Sequence, residues 1–338
     1  MKNSEILLLK DLLATPKKIV IIPHKNPDGD AMGSTLGLYQ FLIKKGHNAT
    51  VVSPNDYPKF LKWLPFENTV VKFDLQNQQA TRLIAEADLI FTLDFNSLSR
   101  VGDMENSLRS ASAQFVMIDH HQQPDDYAVV TYSDVTVCAT CQMVYHTIEM
   151  LDGLDLIDAD IATCLYTGIM TDTGSFRFRS TSALTHKVIA GLIEKGADNA
   201  FIHEQIYDAN SYSRMQLLGT ALTNLRVLPE YNAAYITLSQ EELDEHNYQK
   251  GDTEGFVNYG LSLDSIKIAL IFIENKQEGI IKISLRSKGS FSVNEMSRSH
   301  FQGGGHTNAA GGKSDLSLAD TVAYFISILP QYKEALHE

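Results

Sequence analysis

Lys18-Ile-Val-Ile-Ile-Pro-His24-Lys-Asn-Pro-Asp28-Gly-Asp30 passes from a short apolar run straight into a histidine and two acids. The run is rich in β-branched residues and ends at a proline, which reads as a buried strand. From Ala31 to Lys45 the apolar residues recur at helical spacing. Strand, turn and helix in that order open a crossover unit. The pattern repeats: Ala49 to Ser53, then helical Ala80 to Ala87, then strands at Leu89 to Asp94 and Phe115 to His121. Such alternation predicts an α/β fold whose N-terminal sheet is mostly parallel and flanked by helices. In that architecture ligands collect at the carboxyl ends of strands. His24, Asp94 and Asp119-His120-His121 all fall at such ends.

Asp160 to Met170, Ser182 to Lys195 and Ser211 to Leu225 are helical in pattern. Strand signals return at Ala233 to Leu238, Ile266 to Glu274 and Gly279 to Leu285, with helical patterns around Asp252 to Leu261 and from Leu318 to Leu336. The expected organisation is an α/β domain over 1–195, a helical linker over 196–225 and a smaller α/β domain over 226–338.

The 338 residues suffice for two domains, and the net charge of −13 argues against a groove for long nucleic acid, which needs many cations. Ile6, Leu9, Leu12 and Leu13 fit an amphipathic helix better than a secretory signal, and no stretch is apolar enough to span a membrane. A cytoplasmic protein is the expectation. Cys138-Ala-Thr-Cys141 has redox or zinc spacing, but no second pair accompanies it and Met143, Val144 and Ile148 place it in a buried helix.

Five stretches could carry chemistry. In the first, Pro27 should keep Asn26 out of helical geometry and Gly29 should allow a sharp turn, so that His24, Asp28 and Asp30 share a cavity; an Asp there could equally cap the next helix. Asp94 closes a buried strand. Asp119-His120-His121 would offer one imidazole to a metal and the other to a substrate, with Asp119 orienting the metal-ligand histidine. Asp172 ends an apolar helix that Gly174 breaks, and either faces the interior or makes a turn. In Phe301-Gln-Gly303-Gly304-Gly305-His306 the glycines would let backbone amides converge on an anion, and Ala309 and Ala310 would let a following helix pack closely. Lys282, Arg286, Lys288, Arg298 and Lys313 surround that stretch with positive charge.

His24-Lys-Asn-Pro-Asp-Gly-Asp-Ala-Met-Gly-Ser34, Asp94, Asp119-His-His121, Thr171-Asp-Thr-Gly-Ser175 and Gly303-Gly-Gly-His306 with Ala309-Ala-Gly311 resemble, in order and spacing, the motifs of the DHH phosphoesterases with their associated C-terminal domain. The resemblance covers nearly the whole chain and is strongest to the bacterial NrnA-type branch. It implies an active site in the interdomain cleft and two divalent metal ions, Mn²⁺ before others. His24, Asp28 and Asp94 would hold one, and Asp30, Asp94, His120 and Asp172 the other, with Asp94 bridging. His121 and Asp119 would be catalytic; Arg286, Gly304, Gly305 and His306 would grip substrate. The implied activity is hydrolysis of short oligoribonucleotides and of 3'-phosphoadenosine 5'-phosphate. Linear or cyclic dinucleotide hydrolysis is the alternative, and a non-catalytic nucleotide sensor the reading from another class. A long-strand exonuclease would need further DNA-binding domains. A homodimer is compatible with all of these, with no residue to argue for it.

Overall fold

The computed structural model describes residues 1–337. They form two compact units, Met1–Ala209 and a second that starts at Asn210. In the first, β1 (Lys18–Ile22), β2 (Asn48–Ser53), β3 (Val71–Lys72), β4 (Leu89–Leu93), β5 (Gln114–Asp119) and β6 (Val130–Ser133) make one sheet in the order β3-β2-β1-β4-β5-β6. Every pairing in it is parallel. The strands run as continuous apolar stretches because both faces are covered. Ile19, Ile21, Phe91, Val116 and Ile118 belong to one core, and Val20, Ile22, Ile90 and Phe115 to the other.

The helices are α1 (Asn3–Leu12), α2 (Gly29–Lys44), α3 (Asn77–Ala85), α4 (Glu105–Arg109), α5 (Thr140–Met150), α6 (Ala159–Asp172), α7 (Ala183–Glu194) and α8 (Asn199–His203). The chain builds outward from β1 to β3, then returns to lay β4 on the other side of β1. That reversal opens a crevice at the carboxyl ends of β1 and β4. His24 and Asp94 leave their strands there.

Helices α2, α5 and α6 approach one another closely through small residues. A Cβ on Gly29 would collide with the Thr171 hydroxyl, one on Gly33 with the Cys164 carbonyl oxygen, and one on Gly168 with the Cys141 sulfur. Gly29 therefore serves as a first-turn helical residue under a neighbouring helix, not as the sharp turn expected of it. Asn26 does stay out of right-handed helical geometry, at φ 56°. The edge strands β3 and β6 were not signalled by the sequence, being short and interrupted by polar residues.

The second unit holds β7 (Arg226–Leu228), β8 (Ala233–Leu238), β9 (Ile268–Asn275), β10 (Ile280–Ser287), β11 (Gly304–His306) and β12 (Ala309–Ser314) in a mixed sheet ordered β11-β12-β10-β9-β8-β7. Only β8 and β9 pair in parallel. Its helices are α9 (Tyr212–Thr223), α10 (Gln240–Glu245), α11 (Val257–Leu261), α12 (Val293–His300), α13 (Leu318–Ile328) and α14 (Lys333–His337). The glycine run is a strand of a hairpin, and a strand rather than a helix follows it. Its small residues admit the preceding helix instead: a Cβ on Gly303 or Gly312 would meet Ser297 of α12 or Phe301 just beyond it. No helix among the described residues is long and apolar enough to cross a membrane.

Candidate metal centre

At the carboxyl edge of the first sheet, His24 Nε2 lies 3.5 Å from Asp94 Oδ2 and 3.8 Å from Asp28 Oδ2. His120 Nε2 lies 3.4 Å from Asp94 Oδ1, 3.5 Å from Asp172 Oδ2 and 3.7 Å from Asp30 Oδ2. Asp94 thus stands between the two clusters, one oxygen toward each histidine. His24, Asp28 and Asp94 form one group close enough to hold an ion, and Asp30, His120 and Asp172 another.

Each side chain arrives by a separate structural cause. His24 and Asp94 follow β1 and β4, and Asp119 ends β5. Asp28 both caps and faces the cluster: its Oδ1 accepts from the amides of Asp30 and Ala31, at 3.0 Å each, while Oδ2 turns to His24. Asp172 is the last residue of α6, and Gly174 at φ 56° ends that helix as expected, with the Ser175 amide bonding back to the Met170 carbonyl at 2.8 Å.

The donor chemistry fits metal ions. His24 Nδ1 sits 2.9 Å from the Lys25 carbonyl and His120 Nδ1 3.1 Å from the Val137 carbonyl. A carbonyl only accepts, so both Nδ1 atoms carry a proton, and both Nε2 atoms face the carboxylates. In the metal-free protein the acids must share protons with these rings. Burial by itself lowers the His24 pKa, but Asp28 and Asp94 outweigh it and lift it to about 10. Burial likewise opposes protonation of His120, yet Asp94 and Asp172 hold its pKa well above the usual imidazole range. Burial and the neighbouring Asp94 and Asp172 push Asp30 well up, and burial with Asp28 and Asp94 lifts Asp172 to about 6. Burial opposes ionisation of Asp94 too, but His120 and His24 hold its carboxyl well below the usual range. Once the shared protons leave, these acids and the two Nε2 atoms make a donor set suited to cations.

His121 differs from its neighbour. Its Nδ1 bonds Asp119 Oδ1 at 2.7 Å, and Asp119 is wholly buried with no hydrogen-bond partner for Oδ2. Asp119 therefore orients His121, the ring read as facing substrate, rather than His120. His121 Nδ1 is also 3.7 Å from Asp94 Oδ1.

Thr140 is a member of the site that the sequence did not disclose. Its hydroxyl donates to Asp94 Oδ1 at 3.0 Å, its amide to Asp30 Oδ2 at 2.6 Å, and the Cys141 amide to Asp30 Oδ1 at 2.8 Å. The helix α5, with its buried free thiol Cys141, hence anchors two of the acids by its N-terminus. The available signal was a threonine and free amides opening a helix behind Cys138.

In the second unit, Arg286 and His306 stand on either side of Ala309 in one register row of β10, β12 and β11. Directly paired residues point to the same face, so the arginine and histidine share one face two strand spacings, about 10 Å, apart with only a methyl between them. Gly304, Gly311 and Ser284 make the next row on that face, and Lys282 with Lys313 lie farther along it. Gly305 falls on the opposite face, opposite the buried Ala310, at φ 149°.

A model of the DHH family, N-terminal domain, matches residues 18–169, and one of the DHHA1 domain matches residues 230–332. The chain belongs to the DHH family. One DHH relative, the bifunctional oligoribonuclease and PAP phosphatase NrnA of Thermus thermophilus, is 32% identical over 306 residues, 90% of this chain and 86% of that protein. The cyclic-di-AMP phosphodiesterase GdpP of Geobacillus thermodenitrificans is 26% identical over 98% of this chain but only 49% of its own length. The crystal structure of an exopolyphosphatase-related protein from Bacteroides fragilis superposes with a TM-score of 0.95 at 38% identity, covering 100% of this chain and 98% of that one.

Proposed function

We propose that this DHH-family chain is a phosphoric ester hydrolase that uses two divalent metal ions, Mn²⁺ foremost, to cleave short oligoribonucleotides and to remove a phosphate from 3'-phosphoadenosine 5'-phosphate. The observation that carries the proposal is Asp94 shared between His24 and His120, each histidine backed by a further acid, in a chain collinear with a relative named for both activities.

His24, Asp28 and Asp94 would hold one ion, and Asp30, Asp94, His120 and Asp172 the other. Bound there, a pair of divalent cations supplies hydroxide at neutral pH and neutralises phosphate charge. The protein's own groups do the rest. Thr140 and the start of α5 fix the directions of Asp94 and Asp30. Asp119 holds the Nδ1 proton of His121 and leaves Nε2 to pass a proton to or from the ester oxygens. Arg286 and His306, across the Ala309 row, grip a phosphate, assisted by the amides of Gly304 and Gly305. The mixed nitrogen and oxygen ligation suits Mn²⁺ better than Mg²⁺.

Product analysis of the Mn²⁺-loaded chain tests this, with RNA of two to about ten nucleotides, the length range of a short cleft, 3'-phosphoadenosine 5'-phosphate, a cyclic dinucleotide and inorganic polyphosphate as substrates. Mononucleotides released fastest from the shortest RNAs support the proposal. Turnover of the cyclic dinucleotide or polyphosphate alone would keep the metal centre and overturn the substrate.

A further inference from the structure

We infer that His203 is a positioning residue for Asp172, acting through the hydroxyl of Ser175; the inference rests on the proposal that Asp172 is a metal ligand. After α6 the backbone runs through three consecutive left-handed residues, Gly174 at φ 56°, Ser175 at φ 58° and Phe176 at φ 65°. Glycine closes the helix without penalty, but a serine and a phenylalanine in that region are strained and persist only where their surroundings hold them.

The surroundings are specific. His203 Nδ1 lies 2.8 Å from the Asn199 carbonyl, so it carries the proton, and Nε2 accepts the Ser175 hydroxyl at 3.0 Å. The Phe176 ring meets Tyr166 edge-on at 5.9 Å and His186 at 5.8 Å. Thr173 ties the loop to the end of α6: its hydroxyl donates to Ile169 at 2.6 Å and accepts the Phe176 amide at 3.0 Å, and its carbonyl accepts the Arg177 and Phe178 amides at 3.0 Å each. Asp172 immediately precedes this braced turn. Every bond that fixes the turn restricts where the Asp172 carboxylate stands relative to His120.

His203 lies well outside the motif that contains Asp172, at the end of α8 and next to the π-helical turn Glu204–Asp208. Released from His203, Ser175 and Phe176 relax toward right-handed or extended backbone, and the C-terminus of α6 frays. The metal set of Asp30, His120 and Asp172 then loses its third fixed member while His24, Asp28 and Asp94 keep theirs.

The test compares His203→Ala, His203→Gln, Ser175→Ala and the His203→Ala/Ser175→Ala double variant in the full chain. Mn²⁺ affinity is read by calorimetric titration, and amide hydrogen exchange of residues 175 to 178 is read in the metal-free protein. Support is a Mn²⁺ affinity about tenfold or more weaker in His203→Ala and in Ser175→Ala, no further loss in the double variant, recovery in His203→Gln, whose amide oxygen can accept the same hydroxyl, and faster exchange confined to the loop. Unchanged Mn²⁺ affinity in Ser175→Ala, which is small enough to leave the core folded, overturns the inference even if exchange quickens. An Asp172→Ala control with both ions bound at full affinity would overturn the ligand assignment and this inference with it, while the exchange data alone would still report whether His203 holds the turn.

Discussion

Asp94 sits in left-handed backbone at φ 66°, nearly inaccessible to solvent, with both oxygens turned to histidines. Asp and Asn tolerate that conformation better than alanine does. Asp94→Asn therefore removes the shared charge at little backbone cost, whereas Asp94→Ala adds strain. Both should lower kcat by about a thousandfold or more, about 4 kcal/mol of transition-state stabilisation. Turnover within about tenfold of the parent in Asp94→Asn would refute the shared-ligand assignment. Asp119→Asn should leave Mn²⁺ affinity nearly intact and lower kcat by about a hundredfold, because it acts on the proton-transferring ring alone; a drop in metal affinity instead would make Asp119 a ligand. The pH dependence has a definite sign. His24 is raised to about 10 in the metal-free protein, so the stability it contributes is complete below its ordinary value and is lost as pH rises through about 10. Asp172, raised to about 6, loses stability for the fold as pH rises from the ordinary carboxylate range through about 6. Both make the metal-free protein less stable at higher pH, and both protons must leave before an ion binds. The Tm gain from a fixed Mn²⁺ concentration should thus grow from about pH 6 to about pH 8; a gain that stays flat or shrinks would contradict the proton-shared cluster.

Helix α2 and helix α6 carry the proposed ligands Asp30 and Asp172 from distant parts of the first unit's sequence, and their glycines set how closely the helices pack. Gly33→Ala would drive a methyl into the Cys164 carbonyl oxygen of α6, and Gly168→Ala would drive one into Cys141 of α5 and against Asp30 of α2. Either should cost about 1 to 3 kcal/mol, seen as a lower Tm, and should weaken Mn²⁺ binding by spreading Asp30 from Asp172. A destabilised variant with unchanged Mn²⁺ affinity would show that the helix contact does not position the ligands. The longer helices of the first unit and the central strands were legible in the residues because apolar periodicity and buried β-branched runs report burial directly, whereas short helices such as α4, α10 and α12 were not. The glycine stripe of α2 was visible but spoke of no particular partner, since its meaning depends on α6, far along the chain. The strands β11 and β12 escaped for the opposite reason. A glycine-rich hairpin has few side chains with which to signal a pleat, and its helix packs from the preceding side. Asp30 was legible as an acid at a strand end, but its grip on α5 required a contact that no local spacing encodes.

At the scale of the whole chain, a net charge of −13 accompanies a local row of Lys282, Arg286, His306 and Lys313 on one face of the second sheet. A substrate with one or two phosphates displaces few counterions, so the double-logarithmic salt slope of kcat/KM should be shallow, near −1 for a dinucleotide at roughly 0.7 per phosphate. A slope several times steeper would mean that a longer strand is engaged. The division into two compact units follows from the two separate alternations of strand and helix, and the 3-2-1-4-5-6 order of the first puts its crevice where the motifs end. Within that unit the carboxylate of Asp30 accepts the two free amides that open α5. A lineage that stopped needing hydrolysis could not simply let this acid drift, because an apolar substitute would leave the start of a buried helix unfastened. The proposed ligand and the fastening of α5 are one side chain, so descendants kept only for binding should still display the aspartate, and its presence by itself testifies to folding.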